Sequence, residues 1–316
     1  MLEHQPATWV VAGTTDARRR IGPLIAAHRN YRAVREVDPS VFCDADLDDA
    51  AGALIVGDSR NSPRSALPGP FLRARNGRRV AAGWLPDIGE RLEIFAHAAA
   101  LVQMRQTPEA NRGPFVLLGG REERALDLAG RLADGLAGTA PVFQWTAERI
   151  RRTDLTAALQ GGVGAAFYVG RGVSAGWAAY GGFDAGDARL SCGRPIGAVF
   201  SLTCSVASRS GTELSFCEEM VLAGFCAAGL GAVGLTLHRH NVGLGLAAVQ
   251  ALRNSTTLAD VLLGPGIPPA PLSRYRIVGD PLAPLIGDAL SLEKARRVFA
   301  PAPDEVLPII PLSSWS

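Results

Sequence analysis

The sequence predicts an α/β protein with a mostly parallel sheet flanked by helices. Along its 316 residues, short apolar runs alternate with segments whose apolar residues recur at helical spacing. Two of the runs, Val163–Val169 and Ala198–Thr203, are continuously apolar, which is typical of strands covered on both faces. A connector rich in Pro, Asn, Arg and Gly, Gln106–Pro114, separates two such series. We therefore expect two side-by-side α/β subdomains, residues 1–108 and 109–316.

The individual elements follow from these patterns. In the first series we predict strands at Trp9–Ala12, Tyr31–Val37, Ala53–Gly57 and Arg79–Gly83, and helices around Ile21–Ile25 and Ile88–Val102. In the second series we predict strands at Phe115–Leu118, Val142–Gln144, Val163–Val169, Ala198–Thr203, Ala232–Leu237 and Arg276–Val278. The helices of that series are predicted at Ala125–Leu136, Asp154–Leu159, Leu214–Ala228 and Leu246–Leu252.

Composition excludes several classes of protein. Hydrophobic residues make up 47% of the chain and charged residues 20%, which fits a folded protein with a real core. A net charge of +2 gives no electrostatic reason to expect nucleic acid or an anionic membrane as a partner. The five cysteines form no CxxC pair and no cluster with histidine at zinc spacing, so we expect no metal and no cofactor. The chain starts without a signal-peptide pattern and has no long apolar stretch, which predicts a cytoplasmic protein.

Three predicted strand ends in the second series carry chemically distinctive residues. They are the turn Gly170-Arg171-Gly172, the sequence Thr203-Cys204-Ser205, and the triplet His238-Arg239-His240. In an open parallel sheet, ligands bind beyond the carboxyl ends of the strands. We therefore expect these three segments to line one rim of the sheet and to form the functional site.

The order of these segments resembles a known family. A strand ends in a Gly-X-Gly turn (170–172), an apolar strand about thirty residues later ends in Cys204, a Cys-Glu-Glu helix (217–219) follows, and Tyr275–Pro281 lies near the end. In the first half, Leu54–Asp58 and Val80–Pro86 are similar to the non-catalytic part of the same family. Over roughly residues 51–285 the chain resembles the gingipain family of the caspase–gingipain clan of cysteine peptidases. The resemblance implies a caspase-like fold and peptides or proteins as substrates.

Carried over residue by residue, the resemblance assigns roles to the rim. It implies that Cys204 is the nucleophile and that the backbone N–H groups of Gly172 and Cys204 form the oxyanion hole. Trp177 matches an aromatic residue after the turn. The position of the family's catalytic histidine is occupied by Arg171. A guanidinium keeps its proton at neutral pH, so Arg171 cannot return one to a leaving amine.

Two functional hypotheses remain open. In the first, the chain hydrolyses peptides with a displaced base, which would be His238 or His240. In the second, the site is degenerate and the chain is an inactive pseudopeptidase that binds peptides or proteins. In either case Arg171, Trp177, Ser205 and Arg239 are the candidate substrate contacts.

Overall fold

The computed structural model describes residues 8–57, 69–107, 110, 112–159, 161–190, 193–209 and 213–288. An eleven-stranded, mostly parallel sheet lies at its centre, with helices on its faces. The predicted α/β fold class is therefore confirmed. No helix in these ranges is long and apolar enough to cross a membrane.

Up to residue 107 the described part of the chain forms five strands and three α-helices. The strands are β1 (Thr8–Ala12), β2 (Val34–Val37), β3 (Ala50–Gly57), β4 (Phe71–Arg73) and β5 (Arg79–Pro86). The helices are α1 (Thr15–Arg20), α2 (Gly22–Arg29) and α3 (Glu90–Gln103). The predicted strand at Tyr31–Val37 begins three residues later than expected, because His28 accepts the backbone N–H groups of Tyr31 and Arg32 in a turn that ends α2.

The rest of the described chain forms nine strands and seven helices. The strands are β6 (Phe115–Gly119), β7 (Val142–Thr146), β8 (Ala165–Val169), β9 (Gly172–Val173), β10 (Gly176–Trp177), β11 (Phe183–Asp184), β12 (Ile196–Leu202), β13 (Cys226–Ala232) and β14 (Tyr275–Gly279). The helices are α4 (Glu123–Leu136), α5 (Arg152–Leu159), α6 (Ala185–Leu190), α7 (Phe216–Leu222), α8 (His238–Leu252), α9 (Leu258–Leu263) and α10 (Pro269–Leu272).

The sheet is continuous across both halves of the chain. Its order is β2-β1-β3-β5-β14-β13-β12-β8-β6-β7, with β4 added antiparallel to β5. Strand β14 pairs parallel with β5 and antiparallel with β13. The carboxyl ends of β1, β3 and β5 therefore lie at one edge of the sheet, and those of β8, β12 and β13 at the opposite edge. The strands before and after residue 108 meet between β5 and β14.

The region after α7 differs from the sequence prediction. The predicted helix over Leu214–Ala228 ends at Leu222, and the buried strand is Cys226–Ala232 rather than Ala232–Leu237. A loop spans 233–237, and His238 opens helix α8 instead of following a strand. The prediction that His238–His240 directly follows a strand was therefore wrong.

Close packing of α7 against β13 explains this difference. A Cβ added at Gly231 would lie 2.5 Å from Cys217 Sγ, and one added at Gly229 would lie 3.6 Å from Cys217 Cβ. Strand β13 therefore consists largely of small residues, whose sequence pattern also suits a helix. Helix α7 begins with a capping box in which Ser215 Oγ accepts from Glu218 N–H and the Glu218 carboxylate accepts from Ser215 N–H.

Candidate functional site

The three segments of interest lie at neighbouring positions of one sheet edge. Strands β8, β12 and β13 are consecutive and parallel, so their carboxyl ends meet there. The Thr203 hydroxyl donates a hydrogen bond to the Gly170 carbonyl oxygen at 2.8 Å and so connects the turn after β8 to the segment after β12. Sheet topology thus brings the Gly-Arg-Gly turn next to Cys204.

Gly172 occupies a position with no room for a side chain. A Cβ there would lie 2.6 Å from Thr203 Cγ2 and 2.8 Å from Val206 Cγ1. Gly172 begins β9 and pairs with Trp177 of β10 in a small three-stranded sheet. The missing side chain lets the turn lie directly against the residues that flank Cys204.

Trp177 lies beneath this turn rather than on its surface. It is 1% exposed, stacks on Tyr168 with ring centroids 4.5 Å apart, and donates from its indole N–H to Ser201 Oγ at 3.1 Å. The side chain therefore forms part of the floor under the rim. In this position it supports the turn but offers no face to a substrate.

Arg171 extends away from the sheet into solvent. Its side chain is 84% exposed and pairs with Glu122, which lies between β6 and α4, at 3.7 Å from Nε to Oε1. Its backbone carbonyl accepts hydrogen bonds from the Tyr168 hydroxyl at 2.7 Å and from Ala178 N–H at 3.0 Å. The backbone of the turn is thus fixed, while the guanidinium has no hydrogen bond or ion pair with Cys204.

Cys204 follows β12 by two residues and is half-buried. Its sulfur contacts the loop after β13: Thr236 N–H donates to Sγ at 3.3 Å, and Thr236 Oγ1 and its carbonyl oxygen lie 3.5 and 3.6 Å away. Ser205 adopts a left-handed conformation with φ 58° and donates from its N–H to the Gly234 carbonyl at 3.0 Å. The thiol therefore faces the 233–237 loop.

The triplet His238–His240 forms the first turn of α8 at the same edge of the sheet. His238 and Arg239 are exposed, and His240 is half-buried with an Nδ1 atom that has no hydrogen-bond partner. Neither imidazole hydrogen-bonds to Cys204 in the described part of the chain. The hydrogen-bond contacts of the sulfur are instead made by Thr236, which precedes the triplet in the loop after β13.

Two further residues at the site were not identified from the sequence. Asn241 donates from Nδ2 to the Leu202 carbonyl at 3.1 Å and accepts from the Tyr275 hydroxyl at Oδ1 at 2.8 Å. Both side chains are buried, and burial raises the pKa of Tyr275. Tyr275 is the first residue of the Tyr275–Pro281 motif, and nothing in that motif indicated that its hydroxyl would hydrogen-bond to Asn241.

A buried ion pair links the segment after Cys204 to helix α7. Arg209 donates from Nη2 to Glu218 Oε1 at 2.7 Å, and both side chains are almost fully buried. Burial also lowers the pKa of Arg276 on β14 to about 10, partly offset by the charge of Glu218. Burial raises the pKa of Cys217 on α7. The face of the sheet under α7 is therefore a closed, charged interior, and the accessible chemistry lies at the edge.

The described residues include no group of three or more His, Cys, Asp and Glu side chains that could hold a metal ion. The polar groups of the rim are instead hydroxyl, thiol, imidazole and guanidinium groups together with backbone amides.

Comparison with known proteins finds no matching family model and no matching curated protein. Solved structures do match. The Arg-specific cysteine proteinase gingipain R superposes with a TM-score of 0.68 at 14% identity, covering 92% of this chain and 80% of that one. The complex of the pro- and mature domains of RgpB from Porphyromonas gingivalis gives 0.67 at 13% identity, covering 88% and 79%. The Saccharomyces cerevisiae separase–securin complex gives 0.50 at 11% identity, covering 73% of this chain and 15% of that one.

At these identities the similarity shows the fold alone. The chain has the caspase-like fold of the gingipain-type cysteine peptidases.

Proposed function

We propose that this chain binds a peptide or protein segment at the rim around Cys204 and does not hydrolyse it. The observation that carries the proposal is the environment of the sulfur, whose hydrogen-bond partner is Thr236 rather than an imidazole. Arg171 stands where the resembled family has its histidine, and its guanidinium pairs with Glu122 in solvent. A nucleophile whose described neighbours include no proton carrier in hydrogen-bond contact suits recognition better than amide hydrolysis.

The exposed surface of the rim indicates the chemistry of the ligand. Three large apolar side chains are exposed there: Val173 at 55%, Leu235 at 78% and Leu237 at 51%. Leu235 and Leu237 flank Thr236, which turns towards the sulfur, so the two leucines lie two residues apart on the outer side of the loop. This arrangement suits an extended peptide with apolar side chains, and the exposed Arg239 adds a contact for an acidic one.

The proposal is tested with an array of defined peptides of varied sequence and with the full chain as the probe. We expect Cys204→Ala to bind like the wild type, and Leu235→Asp/Leu237→Asp to lose at least about tenfold in affinity, which corresponds to about 1.4 kcal/mol. Leu101→Asp on α3, where the leucine is also exposed, is the matched control and should bind normally. Mass spectrometry of the bound peptides should find no cleavage, and rapid Cys204-dependent cleavage would exclude the proposal.

Hydrolysis with a displaced base is the second candidate. One observation favours it: His240 Nδ1 is buried without a hydrogen-bond partner, at the same edge of the sheet as Cys204. Histidine is the side chain that most often carries the proton in hydrolysis by a thiol nucleophile. Under this candidate, cleavage is lost in His238→Ala/His240→Ala and restored when Arg171→His is added. Cleavage that persists in the double alanine variant would contradict it.

A further inference from the structure

Helix α3 presents a row of apolar side chains to solvent. Ile94, Leu101 and Met104 are each at least half exposed, and His97 is exposed between them. These four residues are three, four and three positions apart, which places them on one side of the helix. The outer side of a surface helix is usually polar. An apolar row there therefore indicates a contact surface.

A groove runs along this row between α2 and α3. Its volume is about 440 Å³. The short side chains of Pro23, Ala26 and Ala27 line it on the α2 side, and Leu101 and Met104 line it on the α3 side. Because the α2 side chains are short, larger apolar side chains from another segment can pack between the two helices.

The described chain ends close to one end of this groove. Arg105 directly follows Met104 and reaches Gly162, where an added Cβ would lie 3.0 Å from Arg105 Nη2 and 3.3 Å from Asp288 Cβ. Asp288 N–H also donates to the Gly162 carbonyl at 2.8 Å. Residues 289–316 lie outside the described residues, and they start on the Met104 side of the groove.

The first part of that segment has a sequence pattern that matches the row on α3. Apolar residues recur in it at intervals of three and four positions: Leu292, Ala295, Val298 and Phe299. Two basic residues, Arg296 and Arg297, come directly before the last two of them. The segment therefore combines an apolar row with positive charge near its end.

Length and charge together indicate a direction. The row from Ile94 to Met104 spans about 15 Å at the helical rise, and residues 289–299 cover that length at a helical rise or in an extended form. Glu90 and Glu93 are exposed in the first turn of α3, at the end of the row far from Met104. Glu93 also pairs with Arg20 at 3.1 Å, and exposed pairs contribute at most about 1 kcal/mol each. Apolar contact therefore supplies the affinity, and charge favours one orientation.

We propose that residues 292–299 bind in the groove between α2 and α3 of the same chain and run antiparallel to α3. Leu292 then lies near Met104, and Phe299 lies near Ile94 with the basic pair beside the acidic first turn. A segment tethered next to its site has an effective concentration on the order of millimolar, which favours it over a second copy or a free partner. The proposal does not depend on peptide binding at the rim.

Photo-cross-linking in the full chain tests the occupant of the groove. A benzophenone amino acid is placed at Leu101, and a mixture of unlabelled and ¹⁵N-labelled chains is irradiated and mapped by mass spectrometry. We expect cross-links to residues 292–299 within one chain. The control position is Val41, which is also exposed and should give no link to this segment. Links between differently labelled chains, links confined to residues 1–288 or 300–316, or no links at position 101 would overturn the proposal.

Proteolysis provides a second measurement without an unnatural residue. Chymotrypsin cleaves after Phe299, and its rate follows the population in which this bond has left the groove. We expect Leu101→Asp/Met104→Asp to raise that rate at least about tenfold, which corresponds to a loss of about 1.4 kcal/mol. Val41→Asp is the matched control and should cleave at the wild-type rate. An unchanged rate in the double variant, or an equal increase in the control, would contradict the proposal.

Discussion

His28 and Asp280 form a fully buried, hydrogen-bonded pair between residues 252 positions apart in the chain. His28 Nε2 lies 2.9 Å from Asp280 Oδ2, and neither side chain is exposed. The imidazole stacks on Trp9 with ring centroids 3.8 Å apart, and Gln103 Nε2 also donates to Asp280 Oδ2 at 2.7 Å. The pair therefore joins β1, α2 and α3 to the turn after β14, where the strands of the two halves of the chain meet.

Replacing Asp280 with Asn should destabilise the protein strongly. The change removes the charge that His28 and Gln103 face in the interior, and breaking a buried pair costs about 3 kcal/mol or more. Urea unfolding followed by circular dichroism measures the loss. Asp16→Asn, in an exposed pair with Arg19 and Arg20, is the matched control and should unfold nearly like the wild type. An equal effect of the two substitutions would contradict the assigned role.

The same variant should change the acid dependence of stability. Burial alone would raise the pKa of Asp280, but the charge of His28 and hydrogen bonds from His28, Leu282 N–H and Gln103 outweigh it and lower the pKa. Stability from this group is present above the pKa of an unfolded Asp, about 3.9, and is lost as pH falls through the lower folded value. The free energy of unfolding should therefore fall less steeply below about pH 4 in Asp280→Asn than in the wild type.

Gly172→Ala should destabilise the turn that carries Arg171. The new methyl group would lie 2.6 Å from Thr203 Cγ2 and 2.8 Å from Val206 Cγ1, so we expect a loss of about 1–3 kcal/mol. Gly243→Ala in α8 is the matched control, because a Cβ there meets nothing within 4 Å. Removing a glycine from a helix interior should stabilise the protein by about 0.5–1 kcal/mol. Chemical denaturation measures the free energy of unfolding of both variants. A change of the same sign in the two variants would refute the steric explanation.

The Tyr180 hydroxyl should contribute to stability through two buried hydrogen bonds. It donates to the Trp145 carbonyl at 2.5 Å and accepts from Gly119 N–H at 2.9 Å, linking the carboxyl ends of β6 and β7. Tyr180→Phe leaves the buried Gly119 N–H without this acceptor, at a cost of about 1–3 kcal/mol. Thermal unfolding provides the measurement. The control is Tyr31→Phe, at a partly exposed tyrosine, which should leave the midpoint of thermal unfolding unchanged. An unchanged midpoint in Tyr180→Phe would be inconsistent with a stabilising role for the two hydrogen bonds.

Cys217 and Cys226 should resist alkylation in the folded protein. Burial raises the pKa of both thiols and closes them to reagent, whereas Cys43 is exposed. Iodoacetamide at pH 8, followed by peptide mapping, should modify Cys43 readily and the two buried residues only after unfolding in denaturant. Modification of Cys217 at the rate of Cys43 would show that α7 opens in the native state.

Some elements could be predicted because their local pattern agrees with their tertiary environment. Strand β12 is apolar except for Ser201 and is buried on both faces, and α4 has apolar residues at helical spacing, so both were predicted close to their observed bounds. Strand β13 and the start of α8 were misassigned for the opposite reason. The small residues of β13 serve the contact with α7, and α8 begins after Leu237 without a capping side chain. Neither feature leaves a local signal.

The sequence by itself determined the alternation of strands and helices, and hence the edge of the sheet at which Cys204 and the Gly170–Gly172 turn meet. These depend on periodicity and chain order, which are local properties. The partner of the sulfur was decided only by the tertiary structure. Thr236 contacts the sulfur from the loop after β13. Asn241 and Tyr275 lie on two other segments, and β14, which runs antiparallel to β13, places Tyr275 opposite Ala232. Hydrogen bonds between segments depend on that register, and no spacing along the chain encodes it.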